Sequence, residues 1–143
     1  MPIIEHAEVV VENTQLWVED PESGRRIGAS VNVVGGDLVI AVGGGERPHV
    51  GCVVLAQPQA AKTQERKWSA SCSVLTIPPH KEEPIARGIA TRVAEAFGRV
   101  TVVTAGVHDD NLDADGIATY LRLGEELADE LVKRLVEDGM QIG

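Results

Sequence analysis

Three histidines stand where binding chemistry is easiest to build: His49, His80 and His108. His49 follows a Gly-rich turn and enters a strand. His80 and His108 each leave a strand just ahead of a helix. Such junctions present the free N–H groups and partial positive charge of a helix N-terminus. A phosphate or carboxylate is the natural guest there. The fourth histidine, His6, lies near the N-terminus and carries little information.

Each of the three sits in a local constellation. The first is Gly43-Gly44-Gly45-Glu46-Arg47-Pro48-His49-Val50-Gly51. Its glycines allow close backbone approach to a ligand, and Arg47 and His49 can pair with an anion. It links strand to strand and lacks a following Gly-Lys-Ser/Thr, so it is neither a dinucleotide fingerprint nor a P-loop. A flexible hairpin loop is the plainer alternative. The second is Pro79-His80-Lys81-Glu82-Glu83-Pro84, where His80 and Lys81 can clamp an anion ahead of a helix. Alternatively, Glu82 and Glu83 simply complement the helix dipole and Lys81 is solvated. The third is Gly106-Val107-His108-Asp109-Asp110-Asn111. It can bind a metal, orient an imidazole or cap a helix. Capping by Asp110, Asn111 or Asp113 is the commoner case, but a helix has no need of His108.

Catalytic alternatives find less support. Cys52 and Cys72 fall within strands, and Ser69, Ser71 and Ser73 lie on an alternating polar face without a Gly-x-Ser-x-Gly elbow. A zinc site from His49, His80 and His108 is chemically possible, yet no His-x-x-x-His or Cys-x-x-Cys pair supports it. The cysteines read as reduced core residues, not as a disulfide or a metal pair.

These residues need a scaffold, and the composition describes one. The chain has 143 residues, the usual size of one domain, so residues 1–143 are expected to form a single unit. Apolar residues make up 43%, enough for a core, while aromatics make up only 3%, so Val, Ile, Leu and Ala must fill it. A formal charge of -9 is a poor match for nucleic acid. The basic groups Arg25-Arg26 and Lys62, Arg66, Lys67 read as solvated loops. No signal peptide and no membrane span is visible, so the expected compartment is the cytoplasm, with neither nucleic acid nor membrane as partner.

The first two-thirds of the chain reads as strand and turn. Strands are expected at 8–12, 15–19, 27–34, 38–42, 50–57 and 71–77, with Gly35-Gly36 making a hairpin and 58–68 a polar loop. The period then changes. Ile85, Ile89, Val93 and Phe97, with Ala86, Ala90 and Ala94, form a helical stripe between Pro84 and Gly98. Residues 100–105 read as a strand buried on both faces. Ile117, Leu121, Gly124, Ala128, Leu131 and Leu135 form a second helical stripe that Asp138-Gly139 ends. Strands clustered before helices predict an α+β fold: a mainly antiparallel sheet with two long amphipathic helices on one face. The open face or edge of such a sheet makes a homodimer the expected assembly.

The constellations also carry a resemblance. Gly36-Asp37-Leu38 through Gly43-Gly44, Pro48-His49-Val50-Gly51, Ser73-Val74-Leu75-Thr76-Ile77-Pro78-Pro79-His80-Lys81 and Ala105 through Asn111 resemble the prenylated-flavin chaperone family, accessory proteins related to the D subunit of gallate decarboxylase. The likeness covers about residues 26–135. It implies a dimeric sandwich similar to small proteasome-assembly chaperones. It also implies a non-catalytic carrier that binds prenylated flavin mononucleotide (FMN) and passes it to an apo aromatic-acid decarboxylase. By motif, the cofactor-binding residues would be His49, Gly51, His80, Lys81, His108, Asp110 and Asn111, with Asp110 and Asn111 orienting His108 or meeting ribityl hydroxyls. Asp109 would add negative charge beside the phosphate. Trp17, Trp68, Phe97 and Tyr120 are the only rings able to stack on the flavin, and Phe97 reads as core; aliphatic walls such as Val50, Val74 or Leu75 are the alternative. Two other readings compete: a protein-binding assembly chaperone without flavin, and a small metal-dependent hydrolase or isomerase using His49, His80 and His108.

Overall fold

The computed structural model describes residues 12–78 and 81–143. The elements follow in the order β1 (Glu12–Glu19), β2 (Arg26–Val34), β3 (Asp37–Gly45), β4 (Cys52–Ala60), β5 (Trp68–Thr76), α1 (Glu83–Phe97), β6 (Thr101–His108) and α2 (Ala114–Glu137). Five strands come before the first helix, as the α+β reading requires, and β6 falls between the two helices. The strands β1, β2 and β3 make an antiparallel meander, and β4 with β5 makes a separate hairpin. Gly35 takes the left-handed conformation that the β2–β3 turn needs, with φ 57°.

Across the sheet the order is β1-β2-β3-β6-β4-β5. The late strand β6 therefore fills the gap between meander and hairpin, parallel to β3 and antiparallel to β4. This corrects the hairpin alternative for residues 43–51. β3 and β4 are not neighbours, so their connection must cross the end of β6.

Both helices lie on one face. α1 packs on β4, β5 and β6, and α2 packs on β1 and β2 and against α1. Alternation along the strands sends Ile27, Val31, Leu38, Ile40, Val54 and Val103 under the helices, where they are fully buried. Each such side chain contributes about 1.5–3 kcal/mol through apolar area removed from water. The expected α1 stripe is buried in full, from Ile85 to Phe97, with Pro84 in its first turn and Gly98 left-handed at its end.

Several boundaries differ from expectation. β1 is one strand; Asn13 and Thr14 pair with Asn32 and Val31 instead of breaking it. Residues 8–11 and His6 lie outside the described residues. The β4–β5 hairpin extends into the supposed loop, to Ala60 and from Trp68. Pro58 is tolerated in β4 because pairing with β6 stops at Ala56, so its missing N–H breaks no ladder bond on that side. Gly43, Gly44 and Gly45 belong to β3 and do not end it. Along most of β6 burial is one-sided: Val103, Ala105 and Val107 are covered by the helices, while Val102 and Thr104 are half-buried on the opposite face.

The α2 stripe is rotated from the one expected. Gly124, Ala128, Leu131 and Leu135 are buried, but Ile117 and Leu121 are 44% and 40% exposed. Tyr120, Leu123 and Leu127 take their places. Both sets of positions lie at helical spacing, and contact with the sheet selects the set carrying Leu123 and Leu127.

The other face of the sheet carries Trp17, Val39 and Leu75, all exposed, and half-buried Val53, Leu55 and Val102. Among the described residues, no helix is long and apolar enough to cross a membrane. Cys52 and Cys72 are free thiols, and Cys72 Sγ lies 3.4 Å from Thr91 Oγ1.

Candidate functional site

β3, β5 and β6 all point the same way, so they finish at one rim of the sheet. α1 begins at that rim after β5, and α2 begins there after β6. Two helix N-termini thus meet the carboxyl ends of β5 and β6, where their partial positive charge favours an anion.

A row of glycines shapes the rim. Trp17 pairs with Gly28, Gly28 with Gly43, and Gly43 with Gly106. With no side chains standing there, other groups lie flat on the open face. The Trp17 ring covers Gly28, Pro48 covers Gly43, and the His49 backbone covers Gly106. A Cβ on Gly28 would overlap the Trp17 ring, and one on Gly106 would overlap the His49 carbonyl. The sequence suggested that glycines leave room for a ligand. Here the chain itself occupies that room.

Residues 46–50 consequently form a strap across the end of β6. Arg47 N–H donates to the His108 carbonyl at 3.1 Å, and Gly51 N–H to the Ala105 carbonyl at 2.9 Å. Glu46 N–H donates to Asp109 Oδ1 at 2.8 Å. The strap brings His49 and His108 together, with ring centroids 6.4 Å apart and edge to face.

Each imidazole is already engaged. His49 Nδ1 lies 3.1 Å from the Arg47 carbonyl, and Nε2 lies 3.2 Å from Glu82 Oε1. Both partners are acceptors, so the ring satisfies both only with hydrogens on both nitrogens. His108 Nε2 lies 3.2 Å from Asp110 Oδ1, and Arg47 Nη2 donates to the same oxygen. The His108 hydrogen bond, then that of Arg47, holds the Asp110 carboxyl below its usual range despite some desolvation.

Asp109 does not face the imidazoles. It accepts from Tyr120 Oη at 2.5 Å and from Arg25 Nε at 3.3 Å, besides Glu46 N–H. Burial opposes its ionisation, but these donors outweigh burial and lower its pKa. The same burial, and the Asp109 carboxylate next, push the Tyr120 phenol well above its ordinary value. The expected extra negative charge is therefore neutralised on the helix side of the rim. Arg25, read from sequence as solvated, is one of the groups that neutralise it.

The remaining expected residues are more dispersed. Gly51 is buried, and a Cβ there would come 2.8 Å from Glu82 Oε2. Lys81 is exposed just ahead of α1, whereas Pro79 and His80 lie outside the described residues. Asn111 is exposed and left-handed, with φ 57°, in the turn before α2. Capping falls to Asp113, whose side chain accepts from Gly116 N–H at 2.8 Å. Among the described residues, no group of three or more His, Cys, Asp or Glu could hold a metal ion.

Glu82 is the residue that sequence reasoning missed. It stands at the N-cap position of α1 but makes no side-chain capping bond, and its buried carboxylate meets His49. No local pattern signals a contact between two loops so far apart in sequence. Chemically, the rim offers two imidazoles, a guanidinium and two helix N-termini. An anion can enter by exchange with Asp110 or Glu82.

Comparison with known proteins agrees with the architecture. A chain of a chaperone complex for yeast 20S proteasome assembly superposes with a TM-score of 0.57 at 17% identity, covering 88% of this chain and 98% of that one. Protein LpdD of Lactiplantibacillus plantarum is 25% identical over 114 residues, 80% of each protein. Residues 21–136 match the prenylated flavin chaperone LpdD-like domain. A chaperone family points to a protein that is not an enzyme. The chain belongs to the prenylated flavin chaperone LpdD-like family.

Proposed function

We propose that this protein is a non-catalytic carrier of prenylated FMN that delivers it to an apo aromatic-acid decarboxylase. The observation that carries the reading is the rim itself. His49 and His108, brought to 6.4 Å, stand with Arg47 where two helices begin, in a member of this chaperone family. The donor set suits a phosphate, a dianion that can replace Asp110 on Arg47. Asp110 then remains to orient His108, and Asn111 and Gly51 border the ribityl chain. Lys81 adds an exposed cation from the α1 side, and His80, by motif, completes the set. The bound flavin supplies its redox chemistry only to the acceptor enzyme; this chain's residues hold and release it.

The carrier acts in the cytoplasm as a homodimer of one-domain chains. Support for pairing comes from the open sheet face, where Val39 and Leu75 are 38% and 75% exposed. Monomers apolar to that extent on one sheet face gain by stacking.

The test is anaerobic titration with reduced prenylated FMN, with FMN as control, following bound ligand after gel filtration. Saturable binding that favours the prenylated form supports the carrier. No binding of either flavin overturns it and favours a chaperone that binds protein alone. Sedimentation of the Val39→Lys variant tests the pairing: a monomeric variant from a dimeric parent is expected.

A further inference from the structure

The carrier reading leaves the flavin ring without a seat, and the structure offers one. Of the chain's two Trp, one Tyr and one Phe, three are unsuited. Phe97 and Tyr120 are 3% exposed within the core. Trp68 begins β5, at the far end of the sheet, packed against Gly98 and Gly143. Trp17 alone stands at the rim, 54% exposed on the open face.

Trp17 is held flat by its surroundings. Its cross-strand partner is Gly28, whose missing side chain lets the indole lie on the sheet. The Arg26 guanidinium stacks 4.6 Å from the ring centroid. Glu19 is directly opposite Arg26 in the ladder, yet among the described residues Arg26 forms no ion pair. Its charge is therefore available. Beside the indole lies a shallow groove of about 180 Å³, floored by Gly28, Ala41 and Gly43 and closed on its other side by Pro48. Pro48 adjoins Arg47 and His49, so the groove runs into the anion-binding rim.

We infer that Trp17 and Arg26 form the seat for the flavin ring system, resting on the carrier function proposed above. The tricyclic ring takes the place of the Arg26 side chain over the indole, and the displaced guanidinium meets the N1–C2 carbonyl edge, where a reduced flavin concentrates negative charge. The indole lies over β2 and His108 ends β6, two strands away, which is about 10 Å at ordinary strand spacing. An extended ribityl phosphate bridges such a gap. The groove is too shallow to enclose the ring, so it covers one face.

The full-length chain is titrated with FMN, riboflavin and inorganic phosphate, with particle mass measured alongside. Trp17→Ala is expected to weaken FMN and riboflavin about tenfold, the usual worth of one stacked aromatic. Inorganic phosphate affinity is expected to stay at the parental value. Trp17→Phe, which preserves both packing and stacking, retains FMN affinity to within about threefold. Arg26→Ala weakens both flavins and leaves phosphate unchanged. If the parent binds FMN and Trp17→Ala binds it equally well, the seat is elsewhere while the carrier reading stands. If Trp17→Ala alters particle mass alone, Trp17 belongs to a contact between copies and the inference is overturned. If the parent binds phosphate but neither flavin, the carrier reading falls, and the seat with it.

Discussion

His49 Nε2 lies 3.2 Å from Oε1 of Glu82, a carboxylate that is buried at the start of α1. The pair ties the strap between β3 and β4 to a helix that follows much later in the sequence. A buried carboxylate is costly without a partner. His49→Ala should therefore lower stability by roughly 1–3 kcal/mol, read from the urea midpoint. Glu82→Gln should cost less, because an amide can still bond the ring. Equal midpoints for parent and His49→Ala would mean that the pair does not hold the strap.

Acid stability should follow the rim carboxylates. Asp109 and Asp110 both titrate below their ordinary value of 3.8 in the folded chain, as does Asp20, held mainly by Ser23. The unfolded chain then binds more protons than the folded one in this window. The stability these groups give is complete above about pH 4 and is lost as pH falls through their folded values. Melting temperature should drop on acidification below about pH 4, and Asp109→Asn should flatten that drop. A variant with the parental acid slope would show that Asp109 is not a main contributor.

Two glycine substitutions should move stability in opposite directions. Gly106→Ala places a methyl into the His49 carbonyl, so the strap must lift. The expected loss is about 1–3 kcal/mol. Gly88→Ala, in α1, meets nothing within 4 Å. It should stabilise by about 0.5–1 kcal/mol through helix propensity. Thermal melts of the two variants check both signs.

The rotated face of α2 is open to a direct check. Leu127→Ala should cost about 2–5 kcal/mol, as should Ile89→Ala in α1, because both side chains are buried. Ile117→Ser should change stability by no more than about 0.5 kcal/mol, since Ile117 is largely exposed. A large loss at Ile117 would restore the stripe first read from the sequence.

What the sequence disclosed depended on how local the determinant is. The α1 stripe, Pro84 and Gly98 act within one helix, and all were legible. The Gly35-Gly36 turn is equally local. The seat of β6 between β3 and β4 was not legible, because Val102 and Thr104 carry no mark of which strands they will join. For the same reason Gly43, Gly44 and Gly45 looked like a break, when their register partners on β2 and β6 keep them in a strand. Ile117 and Leu121 misled because two overlapping stripes fit α2, and only the sheet decides between them. At the rim, the nearness of His49 and His108 could be hoped for from their shared type of junction. The turning of Asp109 toward Arg25 and Tyr120 depends on side chains from three separate elements.

The central position of β6 also dictates the order in which a ribosome can deliver this protein. The meander and the β4–β5 hairpin emerge first, with no strand between them to share. Each exposes an unpaired edge until residues 101–108 leave the exit tunnel and are inserted. Nascent chains stalled short of that point carry two sticky half-sheets, the form most exposed to mispairing and to capture by quality-control factors. Completing the sheet so late also requires contacts between distant parts of the chain, which slows the last step of folding. The chain is vulnerable during the interval before its penultimate element arrives.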